Sequence, residues 1–245
     1  MTNLTVPKEP AENLGGHLLL VFTNAEIAGD EEYGAWWDGG FADIQAFPGI
    51  GDGTRYMVDP DQRSGETPSW KYLSVHGFGG DAERLKELVL ARATPEDSAL
   101  WLYEAIGDFV TKSDGLPGSR KVKPSEIGDV ETIRSDQPSH QGTRSEHVFL
   151  ALTNPIHGRE DDFHEWYDRY HVPDVLALDA FQSGRRFRVV ATSGARSPWD
   201  YLVIYRFLGP VPQMHAEIQV DMEKGETRMT DALADGHGAW IYTPI

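Results

Sequence analysis

His171 is the residue best suited to chemistry. Histidine's unperturbed pKa, near 6.5, fits proton transfer at neutral pH. His171 also stands just before Val172-Pro173, where the proline turns the chain out of regular helix. The competing role is a cap on a helix C-terminus, which favours a cation without any catalysis. Trp166 and Tyr167 lie immediately upstream. Their rings could stack on an aromatic substrate, with the Tyr hydroxyl as donor, and they serve equally well to pack a helix on a sheet. In Arg185-Arg186-Phe187-Arg188, strand alternation puts Arg186 and Arg188 on one side and Arg185 on the other. An inward Arg186 would bind a carboxylate or enolate oxygen in two-point fashion; an outward one would pair with a surface carboxylate. His76, Tyr201 and Tyr205 fall in later strands, where facing inward they would line a barrel pocket and bind the substrate.

His164, Asp168 and His171 recur at helical spacing, with His157 a further seven residues upstream. Two histidines and a carboxylate can ligate zinc or non-haem iron. The spacing is not that of H-E-x-x-H, however, and a polar face opposite Phe163, Trp166, Tyr167 and Tyr170 explains the same stripe. No metal is expected. The absence of cysteine removes disulfides, thiolate sites and Cys nucleophiles together. Neither G-x-G-x-x-G opening a helix, nor G-x-x-x-x-G-K-[ST], nor G-x-S-x-G occurs. No cofactor is expected either.

The elements that must position these residues are repeated. HLLLVFTNAEIAGDEEYGAWWD from His17 reappears as HVFLALTNPIHGREDDFHEWYD from His147, 130 positions on. TRYMV (54–58) then matches RRFRV (185–189), and PSWKYLSVHGFGG from Pro68 matches SPWDYLVIYRFLGP from Ser197. Each copy reads as β-α-β-β-α-β: apolar alternation gives the strands, and Phe163, Trp166, Tyr167 and Tyr170 give one amphipathic face of a helix. This is the ferredoxin-like pattern. The expected fold is α+β, two tandem ferredoxin-like units forming an intrachain α/β barrel. Copy one spans 15–112 and copy two 146–245, with a polar linker over 113–145. Phe41 replaces His171 in copy one, so copy two is expected to carry the site.

The 245 residues are 40% hydrophobic and 25% charged, which excludes collagen-like and wholly disordered chains. A formal net charge of −17 repels phosphate, so neither nucleic acid nor an anionic membrane is an expected partner. The N-terminal stretch lacks a signal-peptide core and the longest apolar run, 18–22, is too short to span a bilayer. A cytoplasmic location is expected, as a monomeric pseudo-dimer or a homodimer.

DDFHEWYDRYHVPDVLALDAF followed by RRFRVV resembles the EthD-like branch of the dimeric α/β-barrel superfamily. Trp166, Tyr167, His171, Pro173, Ala180 and Phe181 carry the likeness, and copy one matches only in part. The resemblance implies ferredoxin-like halves joined in a barrel. It also implies cofactor-free chemistry on small aromatic or polyketide-like molecules. The expected enzyme is a lyase, cyclase or isomerase with His171 as acid or base, Tyr167 as hydrogen-bond donor and Arg186 stabilising negative charge. The alternatives are a metal- or haem-dependent oxygenase or peroxidase liganded by His171 or His164, and a non-catalytic module for a hydrophobic metabolite.

Overall fold

Short runs of apolar and β-branched residues bounded by Gly, Pro and Asn become strands because each buries one or both faces in a sheet. The computed structural model describes residues 16–24, 30–62, 68–112 and 146–245. The segment read as a linker, 113–145, lies outside them. The strands are β1 (His17–Thr23), β2 (Thr54–Val58), β3 (Tyr72–Phe78), β4 (Ser98–Ala105), β5 (Val110–Thr111), β6 (Glu146–Thr153), β7 (Phe181–Gly194), β8 (Tyr201–Leu208) and β9 (Gly238–Pro244). The helices are α1 (Asp30–Gln45), α2 (Ala82–Ala91), α3 (Glu160–Trp166), α4 (Val172–Leu176) and α5 (Val211–Glu223), with a π-helical turn, Tyr167–His171, joining α3 to α4.

Eight strands close into an antiparallel ring in the order β4-β1-β3-β2-β9-β6-β8-β7, with β7 paired back to β4. The expected α+β barrel is therefore present. Its two seams, β2 with β9 and β4 with β7, each join an early strand to a late one. Equivalent ladders set Leu19 opposite His76 and Phe149 opposite Tyr205. β7 is much longer than RRFRV suggests because it pairs with β8, β4 and the short β5 in turn. β5 has no apolar signature of its own and was not anticipated.

Three packed layers result. The barrel interior is filled by Phe22, Trp70, Trp101, Phe187, Trp240, Tyr242 and their neighbours, and all eight ring strands contribute to it. Outside it, α1 and α2 cover one arc over Trp37, Phe41, Ile44 and Leu85. The α3–α4 segment and α5 cover the other over Phe163, Tyr167, Leu176 and Met214. This corrects the expectation that His76 and Tyr205 line the barrel. Strand alternation sends Leu73 and Val75, and Leu202 and Ile204, inward. His76 and Tyr205 consequently face the helices. Among the described residues, no helix is long and apolar enough to cross a membrane.

Candidate functional site

Glu160, Asp161 and Asp162 open α3, where negative charge favours a helix N-terminus. Phe163 and Trp166 then face the sheet. The next turn is π-helical; its i→i+5 bonds take up one more residue than an α-turn and rotate the chain beyond it. That rotation carries His171 off the stripe shared by His164 and Asp168. The three side chains do not converge, and among the described residues no group of three His, Asp or Glu is arranged to hold a metal.

His171 instead enters a small cavity between the sheet and the helices. Its ring stacks on Trp166 at 4.3 Å and 27° and meets Tyr167 edge-on at 5.5 Å. Burial lowers its pKa to about 4, against a hydrogen bond to the Arg228 backbone and the nearby Asp174 charge, which both raise it. The imidazole is therefore neutral at physiological pH. Its Nδ1 is buried without a partner among the described residues.

Two tyrosines complete the polar part of the cavity. Tyr167, wholly shielded beneath the π-turn, shares a hydrogen bond of 3.2 Å with Thr153 Oγ1. Tyr205, from β8, lies against Gly184, where a Cβ would come within 2.9 Å of its ring. Its Oη is buried and unpartnered among the described residues. Burial pushes the Tyr167 hydroxyl up to about 12, partly opposed by the Thr153 hydrogen bond and the Arg186 charge, and raises Tyr205 well above the usual phenol range. Both remain protonated donors.

The cavity measures about 110 Å³ and is lined by Phe149 and Ala151 of β6, Ile218 and Met222 of α5, and Thr227, Met229, Leu233 and His237 of the strap between α5 and β9, of which Met229 and His237 are exposed. No Asp, Glu, Lys or Arg is among its lining residues. Its size is below the roughly 300–1,000 Å³ of most ligand pockets, so a haem does not fit beside His171. His164 is equally unsuited to that role, because its Nδ1 meets Arg186 Nη2 at 2.6 Å.

The structure thus brings His171, Tyr167, Trp166 and Tyr205 together and leaves three expected residues elsewhere. Arg186 is buried behind Tyr167, donating to Asp168 Oδ1 at 2.6 Å, with its guanidinium 4.8 Å from the Tyr167 ring centre. It lines a separate polar cleft of about 370 Å³ with Asp108, Asp168 and Arg185. Tyr201 sits edge-on to His164 at 5.1 Å, outside the cavity. His76 lies under the other helical layer, stacked on Trp37 at 4.8 Å, and burial lowers its pKa to about 4. There Phe41, 130 positions before His171 in sequence, is fully buried and stacked on Trp37 at 5.0 Å.

Sequence reasoning missed the strap residues and the pair Asp174 and Arg228. Asp174 and Arg228 are 54 residues apart yet joined by two side-chain hydrogen bonds of 2.9 and 2.7 Å. No periodicity links them.

No family model matches the chain, and no curated protein matches it in sequence. Solved structures do resemble it. One, described as an anthrone oxidase-like protein, superposes with a TM-score of 0.50 at 11% identity, covering 94% of this chain and 90% of its own. A Fusobacterium nucleatum protein provisionally assigned as a monooxygenase gives 0.45 at 9% identity, covering 93% and 91%. A chlorite dismutase variant from Candidatus Nitrospira defluvii gives 0.40 at 10%, covering 94% and 92%. The first of these defines the architecture: the chain has the dimeric α/β-barrel fold. At such identity the likeness concerns fold alone.

Proposed function

We propose that the second half of the barrel holds an enzyme site for a small, uncharged aromatic compound, on which His171 moves a proton. The observation that carries this reading is an apolar cavity bordered by two residues with unpartnered buried polar atoms, His171 Nδ1 and Tyr205 Oη. Each such atom costs roughly 1–3 kcal/mol in the empty protein. A ligand with a phenol or enolisable carbonyl supplies what both lack. A lining without formal charges disfavours carboxylates and phosphates.

In this mechanism His171 Nδ1 takes a proton from a phenolic O–H or an acidified C–H. The oxyanion that forms accepts hydrogen bonds from Tyr205 and Tyr167, preorganised in a medium of low dielectric. Arg186 acts indirectly: its positive charge behind the Tyr167 ring favours the developing negative charge on that hydroxyl. Reprotonation at another atom completes an isomerase, cyclase or lyase step. Duplication of one β-α-β-β-α-β unit and the EthD-like resemblance belong to the same proposal. They are supported by the matching strand order of the two halves, β4-β1-β3-β2 and β9-β6-β8-β7. With both seams paired inside one chain, the working form is a monomer.

Oxygenation is the second reading, favoured by the architecture shared with the anthrone oxidase-like protein. A carbanion formed at His171 would reduce dioxygen directly: a ring CH2 plus O2 gives a ring C=O plus water, with the O–O bond broken and both C–H protons leaving in the water.

The test is to incubate a panel of mono- and dihydroxybenzenes and cyclic enolisable ketones with the protein in D2O and follow exchange by NMR, with oxygen uptake monitored in parallel. Enzyme-dependent exchange at an activated carbon, lost in His171→Phe, is expected. Exchange equal in both proteins, or none across the panel and no oxygen uptake, overturns the reading.

A further inference from the structure

We propose that Met229 is the gate between the inner cavity and an outer cleft, and that the substrate has two parts: a neutral ring held inside and a hydroxylated extension held outside. The ring assignment rests on the function proposed above; the passage past Met229 does not. At about 110 Å³ the inner cavity is small for a ligand pocket. Beside it, between the segment around Trp166 and the strap, lies an open cleft of about 410 Å³. Trp166 and Met229 line both spaces and so form the wall between them. With the cleft added, the site reaches the roughly 300–1,000 Å³ usual for ligands.

The two halves of that wall are held very differently. Trp166 is buried; its indole N–H donates to the Arg228 carbonyl at 2.7 Å and its ring stacks on His171 at 4.3 Å. The main chain of the strap is pinned on both sides of Met229. Before it, the Arg228 backbone N–H donates to Asp174 Oδ2 at 3.0 Å, and Arg228 Nη2 donates to Asp174 Oδ1 at 2.7 Å. After it, the Ala232 carbonyl accepts from the Ile156 N–H at 2.8 Å, and the Ala234 N–H donates to the Asn154 carbonyl at 2.9 Å. A strap fastened at these points does not swing as a lid. What is left to move is the Met229 side chain, which is 55% exposed. An unbranched thioether changes rotamer freely and breaks no hydrogen bond in doing so.

The cleft sets the chemistry of the extension. Its carboxylates already hold cations: Asp162 accepts from Arg159, and Glu165 from Arg169. The charge of Arg228 is matched by the buried Asp174. An ionic group on the ligand would therefore have to compete with existing pairs. A hydroxyl finds donors in Arg228 and Thr230 and acceptors in Asp162 and Glu165 without displacing any of them.

The experiment is calorimetric titration of the full chain and of Met229→Trp with phenol, 4-propylphenol and the isosteric 4-(2-hydroxyethyl)phenol. The wild type is expected to bind the hydroxyethyl compound about fivefold more tightly than the propyl one, the effect of one hydrogen bond. In Met229→Trp, whose indole plugs the passage, both extended phenols should weaken about tenfold while phenol changes less than about twofold. Equal changes for all three compounds overturn the gate, and no preference for the hydroxyl overturns the extension. A second arm uses the absence of cysteine from the chain: Met229→Cys is labelled with benzyl methanethiosulfonate, which tethers one ring at position 229. The tethered ring is expected to enter the cavity and shift the His171 ring signals in NMR, identified by their loss when His171→Phe is added; a tethered methyl group should not. Unmoved His171 signals overturn the proposal whatever phenol does. Shifted signals without binding of any phenol remove the proposed function and leave the passage standing.

Discussion

Tyr205 contributes a hydroxyl that no described residue satisfies, so its value lies outside folding. Tyr205→Phe is expected to leave stability unchanged or raise it by about 1 kcal/mol, while weakening phenol binding about tenfold; loss of stability in chemical denaturation would contradict this. His171 and His76 provide a pH signature. Both pKa values are lowered by burial to about 4, against roughly 6.5 for the unfolded chain. Between those limits the unfolded state binds more protons, so stability rises from pH 4 to pH 6.5 and is then level with respect to these groups. Each contributes on the order of 3 kcal/mol across that window. His171→Phe, which copies Phe41, should fold and show a visibly shallower pH dependence in thermal melts. Identical slopes in both proteins would mean His171 is not buried neutral. His171, Tyr167 and Trp166 were legible as candidates because their residue types and the neighbouring Val-Pro step are local. Arg186 was not legible as a buried prop, since a strand pattern assigns sides but not partners.

The eight ring strands and the helix after an acidic start were readable from periodicity. The π-turn was not: α- and π-turns differ by one hydrogen-bond register and leave no trace in apolar spacing. That single register decides whether His171 joins His164 and Asp168 or enters the cavity. The side taken by Tyr205 and His76 was also hidden, because both faces of β3 and β8 are buried, one against the barrel interior and one against helices, so alternation alone does not say which is which. β7 and β8 supply a prediction of their own. A methyl at Gly184 would lie 2.9 Å from the Tyr205 ring. Gly184→Ala should push that ring into the cavity, cost about 1–3 kcal/mol and abolish ligand binding. A crystal structure with Tyr205 unmoved would contradict it.

Closure of the barrel requires both halves, since β2 finds its outer partner in β9 and β4 in β7. The intact chain has no unpaired edge among its eight ring strands, and a monomer is expected in light scattering. A fragment of 146–245 leaves β7 and β9 open and is expected to pair with itself or aggregate. A monodisperse, folded monomeric fragment would argue against the seams as stability determinants. The chain carries a formal charge of −17, yet the lining of the cavity that joins His171 to Tyr205 carries no formal charge. The most direct test is therefore calorimetric titration of the intact protein with phenol and, as an anionic control, benzoate, repeated on His171→Phe. Saturable phenol binding that vanishes in the variant, with none for benzoate in either, is the expected result. Equal binding to both proteins, or preference for benzoate, would contradict the assignment of His171 to a neutral aromatic site.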